Sequence, residues 1–242
     1  MDEEQWIAGG IAVESVLEAG NRAVSLVLVR RDRLDGRVAR VQRLARARGV
    51  AVERLTAEEM ASRAPVEARD GLLARVGQRR LLTLDDLLTA AGAALALVML
   101  DGVEDPYNFG QAVRALYAAG IDGLVVRPRH WLSAETVIRA SAGASEFMPT
   151  AGVESAETAA IACRARGLRV VVADEAGEPM AGVDLRGPLL LVIGGEKRGV
   201  TRSFLAAADL RVRIPYARPF PHALGAAGAA TVLAFEMMRQ RL

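Results

Sequence analysis

A single cysteine, Cys163, leaves no intrachain disulfide framework to build on. With only two histidines, His130 and His222, beside it, a structural zinc site is excluded and no metal is expected. Long apolar runs are also lacking. The longest worth testing, Leu95 to Leu100, falls far short of a membrane span, so no membrane partner is expected. The opening Met1-Asp2-Glu3-Glu4 is acidic and has no apolar h-region, which argues against a secretory signal and for a cytoplasmic location. Lysine is nearly missing too. Lys197 is the only one, a bias that codon usage explains as well as phosphate recognition does, so no function is read from it.

What is present is a chain of 242 residues, 52% hydrophobic and 25% charged, a normal globular balance with room for one large domain or two modest ones. The net charge of +2 is unevenly spread: residues 1–29 carry −4, residues 30–80 carry +7 and residues 81–242 carry −1. A basic stretch on a neutral remainder suggests a polyanion docked at one end.

Apolar runs alternate with helical patterns throughout. A helix is predicted over Ile11–Glu18, strands over Val24–Val29, Val50–Leu55 and Leu72–Val76, and a helix on the stripe Leu34, Val38, Val41 and Ala45. Together these predict a small α/β domain over residues 1–77. Residues 78–93 read as a linker with a leading helix. A second α/β unit, 94–242, is predicted with strands Leu95–Leu100, Gly123–Val126, Arg169–Ala173, Leu189–Ile193 and Leu210–Ile214. Its helices are Asn108–Ala119, Ser133–Ala140, Ala156–Arg166 and His222–Arg241. Strands separated by helices imply a mostly parallel sheet covered on both faces.

In such sheets ligands bind beyond the carboxyl ends of the strands, where three segments fall. The first is Asp101-Gly102-Val103-Glu104-Asp105-Pro106-Tyr107-Asn108-Phe109-Gly110 and on to Arg114, in which Asn108 is the expected helix N-cap. The second is Ile193-Gly194-Gly195-Glu196-Lys197-Arg198-Gly199, whose glycines would let a ligand approach the backbone. It is neither a dinucleotide fingerprint nor a Walker loop, which argues against a nucleotide-dependent oxidoreductase. The third runs from Ile214-Pro215-Tyr216 to a helix rich in small residues, where Gly225 and Gly228 suggest close contact with a ligand or another helix. On spacing alone, each segment reads equally well as an ordinary turn.

Taken in order, D-G-x-x-D-P-x-N-x-G-x-x-x-R, G-x-E-x-x-G, and I-P followed by a small-residue helix ending Phe235-Glu236 resemble the three motifs of SpoU/TrmH RNA 2′-O-ribose methyltransferases of the SPOUT superfamily. Gly10–Leu17 resembles the opening of that family's ribosomal-protein (L30e-like) RNA-binding domain, and Ser141–Glu146 resembles a segment between the first two motifs. The resemblance implies a SPOUT domain with a deep trefoil knot, a rare exception to unknotted topology. It implies S-adenosyl-L-methionine as cofactor, held by Gly194, Gly195, Ile214, Pro215 and Leu224. It implies an RNA substrate (rRNA or tRNA) and a homodimer through the C-terminal helix and the helix after the first motif. Arg114 matches the family's essential arginine. A guanidinium with a pKa above about 12 is a poor base, so Arg114 is expected to grip a phosphate and orient the hydroxyl, with Asn108 and Glu196 fixing the loops. Arg33, Arg37, Arg40 and Arg198 are expected RNA contacts. Phe220 and His222 flank the expected pocket and could stack on a base, while His130, Trp131 and Cys163 read as packing residues.

The third motif departs from the family's usual Ser-Leu-Asn-Val-Ser. Here it is Ala223-Leu224-Gly225-Ala226-Ala227, without hydroxyl or amide. Either backbone contacts suffice, or the chain is a non-catalytic RNA-binding relative.

Overall fold

The computed structural model describes residues 4–90, 95–195 and 199–242. In chain order the elements are β1 (Gln5–Ala8), α1 (Gly10–Ala19), β2 (Val24–Arg30), α2 (Gly36–Ala47), β3 (Ala51–Leu55), α3 (Ala57–Arg63), β4 (Leu72–Val76), α4 (Leu84–Ala90), β5 (Ala96–Asp101), α5 (Pro106–Ala118) and β6 (Gly123–Val126). They continue with α6 (Glu135–Ala140), α7 (Ala144–Phe147), β7 (Thr150–Gly152), α8 (Ala156–Ala165), β8 (Arg169–Pro179), β9 (Leu189–Gly194), α9 (Arg202–Ala207), β10 (Leu210–Arg213) and α10 (Ala226–Arg241).

The chain divides into two compact units. The first joins residues 1–80 to Ser133–Phe147, a segment that the sequence reading kept in the second unit. Its mixed sheet has the order β1-β4-β2-β3. Only β2 and β3 run parallel. Alternation along the strands splits the core. Val27, Val29, Leu72 and Ala74 pack with α1, α2 and Ile138 on one face, while Leu28 and Leu73 pack with Met60 of α3 on the other. The inserted segment is tied in by charge. Arg22 donates from Nε and a terminal nitrogen to the two carboxylate oxygens of Glu146, at 3.0 and 2.7 Å, and both side chains are essentially inaccessible. Asn21 Nδ2 adds a bond to the Glu146 carbonyl at 2.5 Å.

The second unit is built on a six-stranded sheet, β10-β8-β9-β5-β6-β7. Every pairing in it is parallel. Both faces are covered, so the strands are continuous apolar runs. Leu97, Met99, Val170, Val172, Leu190 and Val192 face a core shared with α4, α8 and Phe204 of α9. Their alternates Val98, Val171, Leu191 and Ile193 are equally buried. Helices α5 and α10 pack on one another. No helix among the described residues is long and apolar enough to cross a membrane.

Two element boundaries correct the sequence reading. Helix α5 is capped by Asp105, not Asn108: the Asp105 carboxylate accepts the Asn108 N–H at 2.7 Å, and Pro106 occupies the first turn, where its missing N–H costs nothing. Helix α10 starts at Ala226 rather than at residue 222, with Gly225 as its N-cap and a bend at Pro221–His222 before it. His130 is exposed rather than packed. Trp131 does pack, edge-on to Phe109 at 5.3 Å.

Candidate active site

The middle of β8 and the carboxyl ends of β9 and β10 border a cleft of about 580 Å³, closed on one side by the first turns of α10. That volume suits a nucleoside-sized ligand. Its floor is the end of β9. Gly195 N donates to the Asp101 carbonyl at 2.6 Å, and Gly199 N donates to the Gly195 carbonyl at 2.9 Å. A Cβ on Gly195 would stand 2.0 Å from the Gly102 carbonyl oxygen, and one on Gly194 would stand 2.6 Å from the Gly199 carbonyl carbon. Both positions therefore need glycine for backbone against backbone, whatever occupies the cleft.

A second wall comes from an interruption in β8. Its pairing with β10 jumps from Val172↔Arg211 to Glu178↔Val212, which leaves residues 173–177 without β10 partners. Ala173, Asp174 and Glu175 bulge into the cleft as a result. Gly177 permits the crossing, since a Cβ there would lie 2.6 Å from the Arg211 backbone. Asp174 is paired with Arg211 at 3.3 Å. Sequence reasoning missed this wall. The signal was available: Asp-Glu directly after a buried parallel strand lies where ligands bind.

The third wall is the loop between β10 and α10. Ile214, Tyr216, Arg218, Phe220, Ala223 and Leu224 line it, with Leu233 of α10 behind them. Tyr216 Oη accepts the Leu224 N–H at 2.9 Å, which fixes the loop without a side chain from the Ala223–Ala227 stretch.

The SpoU rRNA Methylase family matches residues 96–235, the stretch that contains this cleft. The chain belongs to that family. A 23S rRNA (guanosine-2′-O-)-methyltransferase, RlmB, from Xylella fastidiosa is 31% identical over 99% of this chain and 98% of its own length. The SpoU methyltransferase AviRb from Streptomyces viridochromogenes superposes with a TM-score of 0.81 at 25% identity, covering 98% of this chain and 90% of that one. Its complex with the cofactor AdoMet shares the fold, with a TM-score of 0.79 at 24% identity over the same shares of the two chains.

Of the residues expected from sequence, this SpoU methylase brings Gly194, Gly195, Ile214 and Leu224 together in the cleft lining. Pro215 is exposed beside them and does not line it. Arg114 lies on α5, exposed and outside the lining, with no carboxylate in ion-pair range among the described residues. Asn108 sits in the first turn of α5 and is likewise outside the lining. Glu196 and Arg198 lie outside the described residues. In the first unit the three expected arginines each have an acidic partner. Arg33 pairs with Asp35 at 2.5 Å, Arg37 with Glu14 at 3.3 Å, and Arg40 with Glu14 and Glu18 at 2.6 and 2.9 Å. Gly228 is not pressed by any described residue, since the nearest such atom to a Cβ there, Leu224 Cβ, is 3.8 Å away.

Proposed function

We propose that this SpoU methylase transfers a methyl group from S-adenosyl-L-methionine to a ribose 2′-hydroxyl of RNA, with ribosomal RNA, the substrate in its relatives' names, as the substrate class. The carrying observation is the cleft itself: the second and third family motif segments meet there, at the carboxyl ends of β9 and β10, inside the stretch that the family matches.

The residues present fit the donor. Backbone groups of Gly194 and Leu224 supply polar contacts, Ile214 and Leu233 an apolar wall, and Glu175 a carboxylate suited to hydroxyls or a cation. When bound, S-adenosylmethionine supplies a methyl already activated on a sulfonium. The protein's own work is then alignment and a route for the hydroxyl proton. Arg114 holds the phosphate next to the target ribose, as a fixed charge rather than a base. Asn108 and Glu196 hold the first and second motif loops. The bare third motif is compatible with turnover, because Tyr216 braces Leu224 in place of a hydroxyl on the motif itself.

The resemblance extends this reading. The C-terminal unit would form the SPOUT knot, the first unit would be an L30e-like RNA-binding domain, and two chains would pair through α5 and α10. Exposed Tyr117 and Phe235 on those helices suit such an interface, at 45% and 41% exposure. A cytoplasmic location follows from an RNA substrate of this kind. The test is transfer of labelled methyl from S-adenosylmethionine to protein-free rRNA. Label in alkali-resistant dinucleotides is expected, because a blocked 2′-oxygen cannot attack its phosphate. Label on bases, or none, overturns the reading.

A further inference from the structure

The loop from Ile214 to Gly225 carries more than a donor pocket needs. Pro215, Pro219 and Pro221 stiffen it. It gathers Tyr216, Phe220 and His222 in one row. The Tyr216 and Phe220 rings lie 6.3 Å apart and tilted by 55°, and Phe220 and His222 meet edge to face at 5.3 Å. The Leu224 N–H bond to Tyr216 Oη anchors one end of the row. Yet the row is open to solvent. Phe220, at 59%, is the most exposed Phe, Tyr or Trp ring of the described residues, and Tyr216 is 40% exposed. A phenylalanine held rigid and left uncovered gains little from folding, so its surface is available to a flat ligand.

Charge sorts the same way. Arg213 and Arg218 line the cleft beside this row, and neither has a carboxylate within ion-pair range among the described residues. On the first unit, by contrast, Arg33, Arg37 and Arg40 are each engaged by acids. Uncommitted guanidinium groups next to exposed aromatic planes match what an unpaired nucleotide needs: a stacking face and a phosphate partner.

We propose that Phe220, backed by Tyr216 and His222, stacks on an unpaired base of the substrate RNA at the mouth of the cleft, while Arg218 holds an adjacent phosphate. This rests on the RNA methyltransferase reading above and adds the group that receives the base. Donor binding and RNA binding are separable, so the two readings can fail separately.

The probes are a fluorescein-labelled single-stranded RNA 12-mer, the same ribose-phosphate chain without bases, and S-adenosylhomocysteine. The first two are followed by anisotropy and the third by calorimetry, on the full-length protein. Loss of one stacked base is worth about 1–3 kcal/mol, or about 5- to 150-fold in affinity. Phe220→Ala is expected to weaken the base-bearing RNA within that range. The abasic chain and S-adenosylhomocysteine should each lose less than the base-bearing RNA does, and Phe220→Trp should restore RNA affinity. Arg218→Ala is expected to weaken both RNAs and to lower the salt slope by roughly one ion. Equal loss on both RNAs with Phe220→Ala overturns stacking. Loss of S-adenosylhomocysteine alone places the ring on the donor's adenine and also overturns it. Wild-type protein that binds S-adenosylhomocysteine but neither RNA overturns this proposal while leaving the donor site intact. Binding of none of the three probes overturns the methyltransferase reading itself.

Discussion

Gly195 has no room for a methyl group: the Gly102 carbonyl oxygen would lie 2.0 Å from a Cβ, and as a backbone atom it cannot step aside alone. Gly195→Ala therefore has to move the β9 loop, which borders the cleft, or the β5 loop packed against it. Calorimetry with S-adenosylhomocysteine should register at least about a tenfold loss of affinity, equivalent to about 1.4 kcal/mol. Unchanged binding would mean that the loop does not shape the donor site. Arg114 gives the opposite pattern. It lies outside the cleft lining and has no carboxylate partner among the described residues. Arg114→Ala should leave S-adenosylhomocysteine affinity intact and reduce methyl transfer by about 100-fold or more, the range for a lost positioning contact. Near-normal transfer would remove Arg114 from the mechanism. Cys163 needs no role: it is fully buried, and burial pushes its thiol up to about 11.

Among the elements, α5 and α10 carry the sharpest tests. The cap on α5 is the Asp105 carboxylate, so Asp105→Ala should cost about 1 kcal/mol in denaturant unfolding. The alternative cap, Asn108, predicts no such loss. Near the end of α10, Glu236 accepts from Arg239 at 2.7 Å and from Gln240 at 2.7 Å, bonds that hold its carboxyl down at about 2. A depressed folded pKa contributes stability above the unfolded value of 4.5, and that contribution is lost as pH falls towards 2. Glu236→Gln should thus lower stability near neutrality, change little at about pH 2, and so flatten the acid limb between those values. An unchanged acid limb would contradict the pairing. Several elements were legible because one local pattern decides them. Gly123–Val126 and Leu72–Val76 are short β-rich runs and fold over those residues. Helix α3 was missed although Thr56 and Glu59 form a capping box there, a signal present in the sequence. The full length of β8 was not legible. The sequence reading ended it at Ala173, whereas the strand runs on to Pro179, where Glu178 and Pro179 pair with β10, a contact between distant residues.

At the scale of the molecule, the chain uses one segment twice. Ser133–Phe147 lies in sequence between β6 and β7 of the second unit but packs in the first, where Glu146 meets Arg22 out of contact with water. Removing one member strands a buried charge. Arg22→Met should cost about 3–5 kcal/mol, and a second change, Glu146→Met, should recover much of it, as a double-mutant cycle in urea would measure. No local pattern forecasts that pairing, since its partners lie 124 residues apart. The cleft was more readable. Two of its walls follow apolar runs that end in Gly-Gly and Ile-Pro, whereas the β8 wall depends on a register jump. The central claim is that this cleft holds the methyl donor. Crystals grown with S-adenosylhomocysteine test it most directly. The account predicts density for that ligand against Gly194, Ile214 and Leu224. Ligand bound elsewhere, with only solvent between those three residues, would contradict it.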